Sequence, residues 1–387
     1  MNVVLVGPFG LQPKGTVSVR ALPLARALVE RGHRATVLIP PWDDPPRAGL
    51  SWDEAGVRVV NLPLPGGVMR LPPLFHFTLA LSLARRALAV QPDVVHLFKP
   101  KAYAGLAHWL LYRWRQMTGA RVRLVVDADD WEQAWNEVLP YSGLQKRFFA
   151  WQERWGLSHA DTVTVASKAL ADLVAAAGVP RERVFYLPNG LPPDTPDPPP
   201  ARRTEPGGTV LLYTRFAEFR LARIVSLVRL VGQEVPARWV IVGRGFRGEE
   251  AVLARQLAQA GLAEAVHFAG WPPDRPVEAY FAAADVAVHP YDDTLLNRTK
   301  CSVKLVQLLA AGLPVVADAV GQNCEYIQHG ETGILVPPED DQAFAAAVVS
   351  LLRSPARRQE TGRAAARSVR RKYAWSALVQ TAERAYH

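Results

Sequence analysis

Positions 297–304, NRTKCSVK, hold an Arg, two Lys, a Thr and a Ser just ahead of an apolar segment that ends at Gly312. Cations and hydroxyls at a helix start suit an anion, because first-turn N–H groups and the helix dipole both favour negative charge there. The pattern predicts a helix from near Lys300 to just before Gly312, whose missing Cβ suits a C-cap. Thr299, Lys300 and Ser302 would meet the anion, with Lys304 one turn on, along the face of Lys300. Gln307, polar among apolar neighbours, can both donate and accept, as ribose hydroxyls require.

Two other segments offer the same chemistry. YTRFAEFR (213–220) follows an apolar run and carries Arg215 and Arg220, whose forked guanidinium groups match a diphosphate. In IVGRGF (241–246), Gly243 and Gly245 flank Arg244 and let the backbone come close to a ligand. VGPFGLQPKGT (6–16), which includes Gly15, has the glycines of a strand-to-helix ligand turn, although it is no GxGxxG fingerprint and a plain tight turn fits equally.

A different chemistry gathers elsewhere. VVDADDW (125–131) sets Asp127, Asp129 and Asp130 at the end of an apolar run, where three carboxylates repel unless a cation, a donor-rich substrate or a proton relieves them. A divalent metal holding a nucleotide diphosphate would need further oxygen ligands, so binding sugar hydroxyls or orienting a base is favoured over it, and capping a helix also stays open. VVHLFKPKAYAG (94–105) puts His96 near a strand end and Lys99 and Lys101 in a Pro-broken loop. These could carry a proton and hold an anion, although a lone strand histidine such as His96 is more often a hydrogen-bonded structural residue.

The elements that would position these groups read as α/β. Short Val/Ile/Leu runs alternate with Ala/Leu/Arg segments of helical period, as strands buried on both faces and crossover helices do. Strands are predicted at 3–7, 35–40, 57–62, 94–98, 122–127, 162–166 and 184–188, with a helix beginning near Val17. A second series falls at 210–214, 239–243, 266–270, 286–290 and 313–318. Between them the Pro- and Gly-dense stretch 191–208 reads as a linker. Two doubly wound sheets would each open a crevice at their strands' carboxyl ends.

With 387 residues, 49% of them hydrophobic, two packed domains are expected. No apolar run of about 18 residues and no cleavable leader is seen, which predicts a cytoplasmic, non-spanning chain. The two cysteines, Cys301 and Cys324, make neither a disulfide framework nor a metal site and are expected to be reduced packing residues. The net charge of +9 is uneven: residues 1–190 hold 22 Lys/Arg against 15 Asp/Glu, and the remainder 23 against 21. No nucleic-acid motif accompanies it, so no nucleic-acid partner is expected. LAHWLLYRWR (106–115) and QKRFFAWQERW (145–155) interleave Trp and Phe with basic residues, as helices at an anionic membrane surface do and as core helices with a solvated basic face also do.

Taken together, RALVERGHRATVLIP, PDVVH, HADTVTVAS, VFYLPNG, FAGWPPDRPVEAYFAAADVAVHPY, AAGLPVVADAVGQNCEYIQHGETGILVPPED and KYAWSALVQTAERAY resemble glycosyltransferase family 4 over nearly the whole chain. The resemblance implies the GT-B architecture: two Rossmann-like, doubly wound parallel-sheet domains facing a deep cleft. Residues 1–190 would bind acceptor, with the C-terminal helix at about 373–387 packing back on them, and 209–372 would bind donor. Arg215 and Arg220 take the places of the family's diphosphate-binding Arg and Lys. The family's two Glu fall on Thr299 and Gln307, and its active-site His falls on Phe98, so the chain departs from the pattern at three places. Donor contacts are expected from Gly15, Gly243, Arg244, Trp271, Thr299, Lys300, Cys301, Ser302, Val303, Lys304 and Gln307, with Arg215, Arg220 and Lys304 stabilising the leaving diphosphate. His96, Lys99, Lys101, Asp127, Asp129 and Asp130 form the acceptor side. The implied reaction moves a sugar from a nucleotide diphosphate sugar, a co-substrate, to a small-molecule, lipid-linked or glycan hydroxyl with retention, and needs no metal or other cofactor. Rival readings are a nucleotide-sugar epimerase and a catalytically idle nucleotide-sugar-binding protein.

Overall fold

The computed structural model describes the chain except residues 12–14, 42, 68–73, 199–206 and 272–275. Part of the 191–208 linker and part of the 6–16 turn lie outside the described residues. Fourteen named strands and fifteen α-helices alternate through the described chain. The strands are β1 (Asn2–Val6), β2 (Arg34–Ile39), β3 (Ser51–Glu54), β4 (Val57–Asn61), β5 (Val94–Phe98), β6 (Arg123–Ala128), β7 (Thr162–Val165), β8 (Val184–Tyr186), β9 (Thr209–Tyr213), β10 (Arg238–Val242), β11 (Val266–Gly270), β12 (Val286–His289), β13 (Val315–Asp318) and β14 (Ile334–Val336). The helices are α1 (Leu22–Glu30), α2 (Leu74–Ala89), α3 (Ala102–Thr118), α4 (Glu132–Val138), α5 (Gly143–Ser158), α6 (Lys168–Ala176), α7 (Leu221–Glu234), α8 (Glu249–Gln259), α9 (Val277–Ala283), α10 (Leu295–Thr299), α11 (Val303–Ala310), α12 (Asn323–Tyr326), α13 (Asp341–Leu352), α14 (Pro355–Tyr373) and α15 (Trp375–Tyr386).

These elements form two compact units, Met1–Pro192 with Thr299–Cys301 and Trp375–His387, and Pro193–Arg298 with Ser302–Ala374. The first unit holds a sheet of order β3-β4-β2-β1-β5-β6-β7-β8. All its pairings are parallel except β3 against β4. Central β1 and β5 are buried on both faces, which is why they read as Val/Leu-rich runs, broken in β5 only by the buried His96. The second sheet has the order β11-β10-β9-β12-β13-β14, every pair parallel, so the direction of winding reverses between β9 and β12. Trp239, Leu227, Phe344 and Val348 lie in its core.

Every predicted strand is present. The spacing missed β3 and β14: the first is a polar antiparallel edge and the second is three residues long. The helix predicted from near Lys300 is corrected. α10 ends at Thr299, Lys300 and Cys301 lie outside any helix, and α11 begins at Val303 with Ser302 as its N-cap, its Oγ accepting from Leu305 N at 3.3 Å. Lys300 and Lys304 therefore do not share a helix face. The other end is as expected: Gly312, at φ 69, donates to Leu309 O at 3.0 Å while Leu313 donates to Leu308 O at 3.2 Å, a Schellman stop. Cys301 is buried, whereas Cys324 is exposed rather than packed.

Candidate active site

In the second unit the switch between β9 and β12 is where an open parallel sheet presents its ligand crevice. Tyr213 ends β9 there, with its ring stacked on Trp271 at 6.1 Å, just past β11. Tyr213 is buried, and burial first, with the nearby Glu278 charge, lifts its hydroxyl to about 12 despite Arg215, so it stays protonated. Lys304, in the first turn of α11, sets its Nζ 5.4 Å from the Tyr213 ring. The Arg215 guanidinium lies 5.9 Å from both the Trp271 and the Phe246 rings, and among the described residues no carboxylate pairs with it. Trp271 and Phe246 are about half exposed, at 51% and 49%, so an open cation is framed by open aromatic faces. Gly243 sits at φ 140 with its N–H donated to Gly270 O at 2.7 Å. Arg244 beyond it is exposed.

Arg220 lies apart from this cluster. Its guanidinium is 67% exposed and turned to Asp292 at 3.4 Å and Glu339 at 3.3 Å. Gln307 is half-buried on α11, and among the described residues its side-chain amide makes no hydrogen bond, so both ends are open to a ligand. Ser302 is buried as the cap of α11 and Val303 is half-buried. Thr299, Lys300 and Cys301 belong to the first unit. Thr299 is buried with its carbonyl accepting from Ser167 Oγ at 2.8 Å, and Asn189 donates from N to Cys301 Sγ at 3.3 Å and from Nδ2 to Cys301 O at 2.7 Å. Lys300 is half-buried with its Nζ 5.7 Å from the Trp135 ring.

The acceptor-side candidates divide in two. Asp127 is fully buried, held by Arg20 through Nε and Nη2 at 2.6 Å each, with Thr164 Oγ1 donating at 2.5 Å. Burial pushes its pKa up, but the Arg20 charge outweighs it and keeps the carboxylate ionised. Thr164 spends its one proton on Asp127, so at the 3.1 Å contact it accepts from His96 Nε2, leaving His96 Nδ1 to accept from Tyr386 OH at 2.9 Å. Burial pulls His96 down to about 4. His96 is thus neutral, fully bonded and enclosed, the structural alternative of the sequence reading. Lys101 is enclosed as well, donating to Glu132 at 3.0 Å and Asn136 at 2.7 Å under the rings of Tyr141 and Phe149. All three side chains are enclosed within the first unit.

Lys99, Asp129 and Asp130 do come together. The Lys99 ammonium meets Asp129 at 2.8 Å, Asp130 at 3.0 Å and Glu132 at 2.9 Å. The three carboxylates have oxygens within 4.8 Å of one another, a spacing that suits a divalent cation, and here Lys99 stands among them as the relieving charge. Lys99 is held at φ 59, a backbone region unusual for a side-chain-bearing residue, which turns its stem toward the cluster. Glu132 falls to about 2 because Lys99 and Lys101 overcome the upward push of burial. Asp129 rises to about 7, chiefly by burial and then by Asp130, Asp127 and Glu132, against the downward pull of Lys99. Its other oxygen accepts from Thr16 Oγ1 at 3.3 Å. Gly15, half-buried beside Thr16, accepts from Val19 N at 2.8 Å as the chain enters a π-helical turn, Val17–Ala21, that carries Arg20. A carboxyl that titrates near neutrality, held by a hydroxyl and an ammonium, can orient or exchange a proton with a sugar hydroxyl. Sequence reasoning missed Arg20, Thr16, Tyr213, Phe246 and Glu132. Of these only Tyr213, an aromatic at a strand's carboxyl end beside Arg215, left a readable signal.

Residues 15–190 match the model of a glycosyl transferase 4-like domain, and residues 210–354 match that of glycosyl transferases group 1. A phosphatidyl-myo-inositol mannosyltransferase of Mycobacterium leprae is 30% identical over 397 aligned positions, covering 100% of this chain and 96% of that protein. A GDP-mannose-dependent alpha-(1-6)-phosphatidylinositol monomannoside mannosyltransferase of Mycobacterium tuberculosis is 28% identical, covering 92% of this chain and 90% of the other. In fold, the sucrose-phosphate synthase of Thermosynechococcus elongatus superposes with a TM-score of 0.70 at 20% identity, over 99% of this chain and 98% of its own. The two parallel-sheet units are those of the GT-B architecture, and the chain belongs to glycosyltransferase family 4 as a nucleotide-sugar-dependent glycosyltransferase.

Proposed function

We propose that this chain transfers a hexosyl group, mannosyl first among candidates, from a nucleoside diphosphate donor to a hydroxyl of a lipid-linked acceptor, retaining the anomeric configuration and using no metal. The observation that carries the reading is the pair of cations, Arg215 and Lys304, set against the Tyr213–Trp271 stack at the switch point of the second sheet. A leaving diphosphate gains negative charge as the sugar bond breaks, and cations fixed beforehand stabilise that charge by several kcal/mol without reorganising. The first turn of α11 adds backbone N–H groups, and the Gln307 amide is suited to ribose. No protein nucleophile is used: the acceptor hydroxyl attacks the face the diphosphate leaves, and a donor phosphate oxygen takes its proton. The names of the two mycobacterial relatives motivate the mannosyl donor and the inositol lipid. Incubating the chain with GDP-mannose, or separately UDP-glucose, and phosphatidylinositol should give a lipid heavier by one hexose by mass spectrometry. Donor consumed without a glycosylated product, or left intact with every acceptor, rejects transfer.

The acceptor's lipid nature agrees with one surface of the first unit. Among the described residues no helix is long and apolar enough to cross a membrane. α5, however, turns Leu144, Phe148 and Trp151 outward at 80%, 40% and 40% exposure, with exposed Arg147 and Arg154 on the same face. Its single acid, Glu153, is buried and accepts from Glu132 N at 2.7 Å. An apolar stripe beside unopposed basic charge fits an anionic bilayer surface. Each basic residue near such a surface contributes about 1 kcal/mol. Arg147→Glu with Arg154→Glu should therefore lower cosedimentation with phosphatidylglycerol-containing vesicles more than about tenfold. Equal binding to neutral phosphatidylcholine vesicles, or no effect of the reversals, would reject the bilayer as partner.

A further inference from the structure

The segment that carries Arg215 is built unlike an ordinary strand-to-helix turn. Thr214, just past β9, continues the ladder by donating its N–H to Val242 O at 3.0 Å. Its side chain is almost wholly enclosed, and its hydroxyl has two partners: it accepts from Phe216 N at 2.8 Å and donates to Glu218 Oε2 at 3.0 Å. Glu218 is itself buried. Its backbone carbonyl accepts from Asn297 Nδ2 at 2.6 Å and from Asp292 N at 2.9 Å, and Arg220 N then donates to Asp292 Oδ2 at 2.9 Å. Between these ties Phe216 sits at φ 64, a left-handed conformation that a bulky side chain adopts only when its surroundings impose it. Phe216 and Phe219 are both driven into the core of the unit, ring against ring at 6.3 Å. Of the residues from 214 to 219, Arg215 is the one charged side chain left outward, against Trp271 and Phe246.

We infer that Thr214 and Glu218 are positioning residues that fix Arg215 for the donor diphosphate, by locking this turn in its strained form. The inference rests on the proposed role of Arg215. The lock needs a hydroxyl, because one atom must accept from an amide and donate to a carboxylate at once. Valine keeps the branched shape and can do neither. It also needs a buried acceptor four residues on, which ties the far side of the turn to the Thr214 end. With the lock gone, Phe216 can relax out of φ 64, and the Arg215 stem, one residue before it, swings with the backbone.

The test compares Thr214→Val, Thr214→Ser, Glu218→Leu and Arg215→Ala in the full chain, with binding of nucleoside diphosphate and of the bare nucleoside measured by calorimetry and thermal unfolding followed alongside. Thr214→Val should weaken the diphosphate about tenfold or more while leaving the nucleoside within about twofold, and Thr214→Ser should restore most of the loss. In the Arg215→Ala background, Thr214→Val should add little, since the group it positions is gone. Should Thr214→Val fold poorly, Glu218→Leu should give the same selective loss. Unchanged diphosphate affinity in a folded Thr214→Val, equal losses of diphosphate and nucleoside, or full additivity with Arg215→Ala would overturn the inference. If Arg215→Ala itself spares diphosphate binding, the proposed role of Arg215 fails first.

Discussion

Arg215→Ala is expected to weaken the nucleoside diphosphate roughly ten- to hundredfold, which corresponds to the 1.5–3 kcal/mol typical of a hydrogen bond to a charged group, while barely changing affinity for the nucleoside. The expectation comes from the environment of this cation. Most buried or half-buried arginines here already have carboxylate partners, such as Arg20 with Asp127 and Arg223 with Asp318. Arg215 has aromatic faces instead, and these orient a guanidinium without neutralising it. Arg215→Lys should recover only part of the loss, since an ammonium cannot grip two phosphate oxygens in a planar fork. Arg220→Ala, by contrast, removes a side chain that is 67% exposed and already turned to Asp292 and Glu339, so its effect on diphosphate binding should be several-fold smaller. Titration calorimetry of the three variants reads both comparisons. A larger loss for Arg220→Ala than for Arg215→Ala would move the diphosphate away from the Trp271 side.

Gly243→Ala should be the most damaging single-carbon change in the second unit. A Cβ there would stand 1.8 Å from Thr214 O and 2.9 Å from Thr214 C, both backbone atoms, at a φ of 140 that side chains rarely adopt. Neither atom can rotate away, because Thr214 N is bonded to Val242 O and Gly243 N to Gly270 O. The strand ends must separate, and the expected loss is more than about 4 kcal/mol, in the range reserved for strain and broken networks. Thermal unfolding and soluble yield check it, with Gly232→Ala as the control. Nothing lies within 4 Å of a Cβ at Gly232, on α7, where alanine should be neutral or add up to about 1 kcal/mol. A Gly243→Ala protein that unfolds within about 2 °C of the parent would show that the strand ends have more room than these distances allow.

What could be read from residues alone followed from burial. β1, β5, β9 and β12 are buried along most of their length, so their runs rich in Val and Leu could hardly be anything else. β3, Ser-Trp-Asp-Glu at a sheet edge, carries no such constraint and was invisible. The break at Lys300 and Cys301 was also illegible, since it is imposed by Asn189, more than a hundred residues away, through its hold on Cys301. The same holds for the carboxylates at 127–130. Three clustered carboxylates announced a need for positive charge, and the structure supplies it twice, from Arg20 to Asp127 and from Lys99 to Asp129 and Asp130. Lys99 was a candidate, but its direction depends on a backbone conformation that no local pattern encodes. Arg20 lay unmarked in a helical stretch because its partner is distant in sequence and adjacent only through the sheet.

The placement of α15 bears on how the molecule is made. Its Trp375 is fully buried in the first unit beneath the Arg20 guanidinium, its Tyr386 hydroxyl bonds to His96, and its Ala385 carbonyl accepts from Thr162 Oγ1 at 2.7 Å and Arg123 Nε at 3.2 Å. A ribosome delivers residues 375–387 only after the whole second unit has been synthesised. Domains usually fold in the order they emerge, but the first unit emerges lacking part of its own interior and must wait, with the slot for α15 open, while the second can finish ahead of it. The first unit is thus completed only when α15 arrives, so that a chain cut short before Trp375 leaves the buried network of Asp127, His96 and Thr164 unsealed.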